Sequence, residues 1–202
     1  EAGHRLFLVG GTVRDLLVGA ADANTDFSTI DFDATTTATP EDIKRIVSPI
    51  ADALWTQGER FGTIGLKIGD RTYEITTHRA EAYSPDSRKP EVQFATDIDV
   101  DLSRRDFTIN AMALEITSES PTLVDPFGGA ADLMTGVLRT PLSPQESFSD
   151  DPLRMLRAAR FISQLDATPE PALVEAVTAM ADRLTIVSAE RVRIEFDRLM
   201  TT

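Results

Sequence analysis

Apolar residues along this chain change period several times, and each change marks a predicted element. Leu6–Val9 is a short apolar run stopped by Gly10-Gly11, the pattern of a buried strand. From Thr12 to Val18 the period becomes helical, with Val13, Leu16 and Leu17 on one side and Arg14 and Asp15 on the other. Residues 20–29 are polar and irregular, which predicts a loop. The alternation Ile30-Asp31-Phe32-Asp33 then predicts a strand whose two acids share one face while Ile30 and Phe32 point to the core. Pro40–Trp55 predicts a helix capped by Thr39, with Ile43, Ile46, Val47 and Ile50 as its buried stripe. Residues 62–68 and 71–77 predict a hairpin turning at Gly69-Asp70. On its second strand Tyr73 and Ile75 take one face, and Thr72, Glu74 and Thr76 the other.

Few apolar side chains occur between 80 and 100, and Pro85 and Pro90 fall there, so this stretch reads as a long loop. The next stretch, Arg104 to Ala113, reads as an amphipathic helix opened by Asp101 or Ser103. Its charged start, Arg104, Arg105 and Asp106, is expected at the surface, and Phe107, Ile109, Met112 and Leu114 inside. Short strands are expected at 114–116, 123–124 and 137–139, with a turn at Pro126-Phe127-Gly128-Gly129 and a short helix before the last of them. From Ser143 onward the pattern is helical throughout, in three amphipathic segments at 150–165, 170–184 and 188–200. A domain boundary near 140 follows, dividing 1–140 from 141–202. The last segment stops at Thr202 with no closing cap, which reads as a chain cut inside a helical region.

Composition narrows this picture. With 202 residues and 42% hydrophobic side chains the chain can bury a real core. It has no apolar run of about 18 residues to span a membrane, and Leu6–Val9 is too short for a signal peptide. The absence of cysteine excludes disulfides and thiolate metal sites and fits a cytoplasmic protein. A net charge of −13 argues against a surface that coats nucleic acid. It leaves open an enzyme that holds an anionic substrate locally, since arginines gather at 154–160 and 191–198.

The candidate chemistry lies in a few short segments. Gly10-Gly11 between strand and helix allows close backbone approach and frees helix N–H groups for phosphate oxygens, although an ordinary tight turn looks the same. Asp31 and Asp33 on one strand face repel each other unless cations intervene, which suits hard divalent ions such as Mg²⁺; two solvated edge acids are the plainer reading. Glu74 joins them if its strand is a neighbour. Asp151 and Arg154, three apart, share a helix face, and an ion pair at a domain start is the plainer reading.

These segments follow in order: Gly10-Gly11-Thr12-Val13-Arg14-Asp15, Asp31-Phe32-Asp33, Asp101 to Ala111 around Arg104-Arg105-Asp106, Asp150-Asp151-Pro152-Leu153-Arg154, and Glu190-Arg191 to Glu195. Together they resemble the amino-terminal part of class II tRNA nucleotidyltransferases, the family of CCA-adding enzymes and bacterial poly(A) polymerases, from Leu6 to Met200. The resemblance implies an α+β chain: a polymerase-β-like nucleotidyltransferase head with a mixed sheet of about five strands, then an all-α neck. It implies that Asp31 and Asp33 hold two Mg²⁺ ions with Glu74 assisting, and that Gly10 and Gly11 lie against the triphosphate, with Arg14 near it or supporting the turn. By the same likeness Asp151 and Arg154 read the nucleotide, Arg105 contacts it, and Asp106 orients the ribose or an arginine. Asn110 is a buried brace, Arg157 and Arg160 contact phosphates or brace the neck, and Glu190, Arg191 and Glu195 support the reading helix.

The implied reaction is addition of C and A from CTP and ATP to the tRNA 3′ end, gripped mostly by domains that family members carry beyond this length. A carboxylate beside a guanidinium complements the amino donor and ring-nitrogen acceptor that cytosine and adenine share, and opposes the edges of guanine and uracil. A poly(A) polymerase, an enzyme adding only part of CCA (A only or CC only), and a non-catalytic nucleotide- or metal-binding module are the alternatives. Two departures from the family stand out: the longer link before Asp31, which makes Asp26 a rival acid, and Asp150 where a glutamate is commoner.

Overall fold

The computed structural model describes residues 3–20, 32–82 and 91–201. They fold as two compact units, Glu1–Ser103 with Met112–Pro126, and Arg104–Ala111 with Phe127–Thr202. This packing divides the chain elsewhere than near 140, because the segment 127–140 and the eight residues from Arg104 bury their apolar side chains with the later helices.

The first unit contains β1 (Leu6–Val9), α1 (Gly11–Ala20), β2 (Phe32–Thr36), α2 (Pro40–Val47), β3 (Ala53–Trp55), β4 (Thr63–Ile68), β5 (Arg71–Thr77), β6 (Arg79–Ala82), β7 (Glu91–Phe94), α3 (Ile98–Ser103), β8 (Ala113–Glu115) and β9 (Thr122–Val124). Its main sheet is mixed and has seven strands in the order β3-β4-β5-β2-β1-β8-β9, two more than expected. Only the β2–β5 pair is parallel; the other pairs of this sheet are antiparallel. Ile64 and Leu66 on β4, with Tyr73 and Ile75 opposite them on β5, turn one face toward Ile43 and Val47 of α2. The alternate positions, Gly65 and Glu74, are therefore on the other face.

Three expectations fail, the first two of them in this unit. The helix from Pro40 ends at Val47, not Trp55. Pro49 lacks the N–H needed to continue it, Ile50 is left 61% exposed, and Ala53–Trp55 joins the sheet edge as β3. The stretch 80–100 is not simply a loop, since β6 pairs with β7 and α3 follows. Arg104–Ala113 is not an amphipathic helix: it holds one 3-10 turn, Thr108–Asn110. Its backbone finds other partners, with the Asp106 carboxylate accepting from Phe107 N–H (2.9 Å) and Arg139 C=O accepting from Thr108 N–H (2.9 Å).

The second unit contains α4 (Gly129–Thr135), β10 (Val137–Leu138), α5 (Pro144–Asp150), α6 (Arg154–Leu165), β11 (Thr168–Pro169), α7 (Pro171–Met180), a 3-10 segment Ala181–Ile186, and α8 (Ala189–Met200). Strand character therefore persists past 140, as β10 and β11 form a short parallel pair. Phe107, Ile109, Leu138, Phe148, Met155, Phe161 and Leu173 form its core. Ser143 and Glu146 make a reciprocal capping box that starts α5. The expected single helix 150–165 is broken, because the residue before a proline is pushed out of the helical region: Asp151, preceding Pro152, is extended at φ −141 and ψ 100. Among the described residues, no helix is long and apolar enough to cross a membrane.

Candidate active site

In the first unit the expected phosphate turn and acid strand come together. Gly10 closes β1 with φ +65, a conformation that favours glycine, and α1 begins at the next residue. Thr12, the second helical residue, accepts a hydrogen bond at Oγ1 from the backbone N–H of Asp33 (3.1 Å), pinning the turn to β2. Arg14 is buried and folds back on the turn: its Nε donates to Asp15 Oδ1 (2.8 Å), and a Cβ on Gly11 would lie 3.4 Å from its Nη2. Of the two expected roles for Arg14, support of the turn is the one this geometry favours. Thr12 was not singled out by sequence; a hydroxyl after a glycine pair is too common a signal.

Asp33 and Glu74 are direct partners across the parallel β2–β5 pair, and both are exposed. The adjacency that the pattern left conditional is thus present. Two carboxylates at neighbouring positions repel, and positive charge nearby offsets that repulsion. The side-chain donors of this pair are carboxylate oxygens, the kind that fits a hard divalent ion. Asp31 lies outside the described residues, and among those described no three His, Asp or Glu side chains cluster as a metal site.

In the second unit the arginines and acids form a buried network. Asp106, expected at the surface, is only 8% exposed. One carboxylate oxygen accepts from Phe107 N–H and from Asn110 Nδ2 (3.1 Å), and the other from Arg157 Nε (2.8 Å) and Nη2. Burial by itself would raise the Asp106 carboxyl, but the charge and hydrogen bond of Arg157, with Asn110, outweigh it and hold the group below the ordinary carboxylate range. Arg160 donates to Glu195 on α8 at 2.5 Å, and Glu195 is 3% exposed. Both arginines also lie near the Phe161 ring, with guanidinium carbons 5.5 and 4.2 Å from its centroid. Arg157 and Arg160 are thus bonded to Asp106 and Glu195, and Asn110, also expected at the nucleotide, is buried and donates to Asp106.

Asp151 and Arg154 are not on one helix face, because the Pro152 break separates them. The Asp151 carboxylate accepts from Leu153 N–H (3.2 Å) and from Arg191 Nη2 (2.7 Å). The Arg154 guanidinium donates to Ser147 Oγ (2.9 Å) and to Arg104 C=O (2.5 Å). Arg105 is half-buried in the bend after α3. A further ion pair escaped the sequence reading: Asp132 on α4 accepts from Arg139 Nε (2.6 Å) and from Thr108 Oγ1 (2.6 Å), tying the 3-10 turn down. The segments are 24 or more residues apart in sequence for Thr108 and Asp132, so no periodicity connects them.

Comparison with known proteins gives these arrangements a context. The family model of the poly A polymerase head domain matches residues 6–139, and a model described as the probable RNA and SrmB-binding site of polymerase A matches 167–202. The CCA-adding enzyme of Bacillus subtilis (strain 168) is 42% identical over 201 residues, covering 99% of this chain and 47% of that protein. The crystal structure of the Bacillus stearothermophilus CCA-adding enzyme in complex with CTP superposes with a TM-score of 0.80 at 34% identity, over 98% of this chain and 44% of that one. The Thermotoga maritima CCA-adding enzyme complexed with tRNA gives a TM-score of 0.74 at 30% identity, over 98% and 43%. The chain spans about half the length of the curated relatives it matches.

Proposed function

Given that this chain belongs to the poly A polymerase head domain family, we propose that it is the catalytic part of an RNA nucleotidyltransferase that adds C and A, from CTP and ATP, to a tRNA 3′ end. The observation that carries this reading is the Asp33–Glu74 register beside the Gly10–Thr12 turn. Residues 1–140 act as head and 141–202 as nucleotide-reading neck; the head-domain match over residues 6–139 supports the first assignment. A cytoplasmic setting suits such a substrate.

In the reaction the RNA 3′-hydroxyl gives up its proton to solvent, a bond forms between its oxygen and the α-phosphorus, the bond from that phosphorus to the α,β-bridging oxygen breaks, and pyrophosphate leaves. Asp31 and Asp33 would hold the two Mg²⁺ ions, with Glu74 beside the hydroxyl-activating one. When bound, these ions supply positive charge at the attacking and leaving oxygens. The chain's own residues bind and orient. The Gly10-Gly11 turn lets the backbone and the start of α1 face the triphosphate, and Thr12 holds Asp33 to that turn. Arg105 contacts the nucleotide. Asp106, fixed by Arg157 and Asn110, anchors the segment that carries Arg105.

Asp151 and Arg154 present a carboxylate and a guanidinium to the base. Each is already held by a second group, Arg191 for the acid and Ser147 for the arginine, so their geometry is set before the nucleotide arrives. Titration of the chain with the four nucleoside triphosphates in Mg²⁺ tests this. CTP and ATP are expected to bind and GTP and UTP to fail; equal binding of all four sinks the base-reading assignment. Binding of ATP without CTP points instead to a poly(A)-adding enzyme, which shares every other part. Asp33→Ala in the full-length protein is expected to abolish transfer to a tRNA lacking CCA.

A further inference from the structure

The register of the main sheet places four residues in one row that the reaction above uses only in part. Asp33 on β2 is the direct partner of Glu74 on β5, Glu74 of Gly65 on β4, and Gly65 of Trp55 on β3. Direct partners share a face of a sheet, so Trp55 stands on the same face as the two acids. Two strand spacings, about 10 Å, separate its backbone from that of Glu74. The residue between them has no side chain, and the indole fills its place: a Cβ on Gly65 would fall 1.9 Å from Trp55 Nε1. The indole thus lies across β4 toward Glu74, half-buried, and lines a cleft of about 340 Å³.

The rest of that cleft has the same character. Phe61, 37% exposed, forms a second aromatic wall, with the Arg60 guanidinium 4.5 Å from its ring centroid. Arg79 lines the cleft as well and is oriented by donating Nη1 to Phe61 C=O (3.2 Å). Two aromatic faces, a guanidinium and a carboxylate in a space of this volume fit a nucleoside with one phosphodiester: stacking holds the base, the cation the phosphate, and the acid the sugar hydroxyl. Position in the row decides which nucleoside. The triphosphate turn at Gly10-Gly11 follows β1, on one side of Asp33, and the cleft is on the other side, beyond Glu74. In an in-line displacement the attacking oxygen and the leaving pyrophosphate lie on opposite sides of the phosphorus. The cleft is on the attacking side.

We infer that the Trp55–Phe61 cleft receives the terminal nucleoside of the RNA acceptor strand, stacked on the indole with its 3′-hydroxyl directed to Glu74 and its 5′-phosphodiester to Arg79. The inference rests on the nucleotidyltransferase reading above, and the test separates the two. Trp55 is the single tryptophan of the chain, so its emission reports stacking directly. The protein is titrated with the RNA trinucleotide ACC, with the same trinucleotide lacking its 3′-terminal base, and with CTP, while CTP binding is measured independently by calorimetry.

Saturable quenching by ACC but not by the abasic trinucleotide is the expected result. Phe61→Ala, and Phe61→Leu in case the smaller side chain unfolds the loop, are expected to weaken the ACC affinity about tenfold, the loss typical of one stacked base. Quenching by CTP that ACC does not displace assigns the cleft to the incoming nucleotide and overturns the inference. An absence of quenching while CTP still binds by calorimetry overturns it too and leaves the nucleotidyltransferase reading standing. If CTP also fails to bind by calorimetry, both fall.

Discussion

Gly10 and Asp106 carry two different single-residue constraints, one on backbone and one on charge. Gly10 sits at φ +65, where a Cβ costs about 1–2 kcal/mol. Gly10→Ala is therefore expected to lower stability by that amount in denaturant titrations and to weaken triphosphate binding further by shifting the turn. Asp106 is a buried carboxylate whose stability depends on Arg157. Breaking such a pair from either side leaves a buried charge, at a cost of about 3 kcal/mol; Arg157→Ala should show this at pH 7. The folded carboxyl titrates below its unfolded value of about 4, so its stabilisation is complete above that pH and lost as pH falls through the lower folded value. Asp106→Asn is accordingly expected to be most destabilising at neutral pH and to converge on the parent in acid, measured as unfolding free energy against pH. The sequence marked Asp106 as important through a motif but put it at the surface, because a run of three charges looks solvated until its partner 51 residues away is known.

Elements here are broken and joined by residues that a period count passes over. Pro152 interrupts what would be one long amphipathic helix, and it leaves Asp151 extended, with its carboxylate accepting from Leu153 N–H and Arg191. Pro152→Ala removes that restriction, and the expected outcome is fusion of α5 and α6 with loss of CTP selectivity over UTP while the fold persists, read by circular dichroism and nucleotide titration. On the sheet, the short β3 depends on a gap: Trp55 packs where Gly65 has no Cβ. Gly65→Ala is expected to displace the indole, shifting Trp55 emission, and to cost about 1–3 kcal/mol as an overpacked site. The hairpin β4–β5 was legible because its alternation and Gly69-Asp70 turn are local. β3 was not, since three residues beside a helical pattern carry too little period to be seen alone.

At the scale of the molecule, both units bury charge beside apolar side chains: Arg14 and Asp101 in the first, Asp106 and Glu195 in the second. In the second, Arg157 holds the Asp106 carboxyl below the ordinary range, so acid that protonates it removes that stabilisation. Hydrogen exchange compared at pH 7 and near pH 3 is expected to lose protection in α6, which carries Arg157; unchanged protection there would contradict this.

What the amino-acid sequence determined by itself is everything local: the strand–Gly-Gly–helix start, the alternating faces of β2 and β5, the helical second part, and a motif order specific enough to place the chain in a family. Each of these follows from neighbours within a few residues, where period and turn chemistry act. The tertiary structure alone decided which strands adjoin, and so that Asp33, Glu74, Gly65 and Trp55 form one row. It alone decided that Arg157 and Arg160 are occupied by Asp106 and Glu195. Two of the pairings, Asp33 with Thr12 and Asp106 with Arg157, join residues 21 and 51 positions apart. They are selected by burial and desolvation in the folded core, for which a linear pattern holds no distance information.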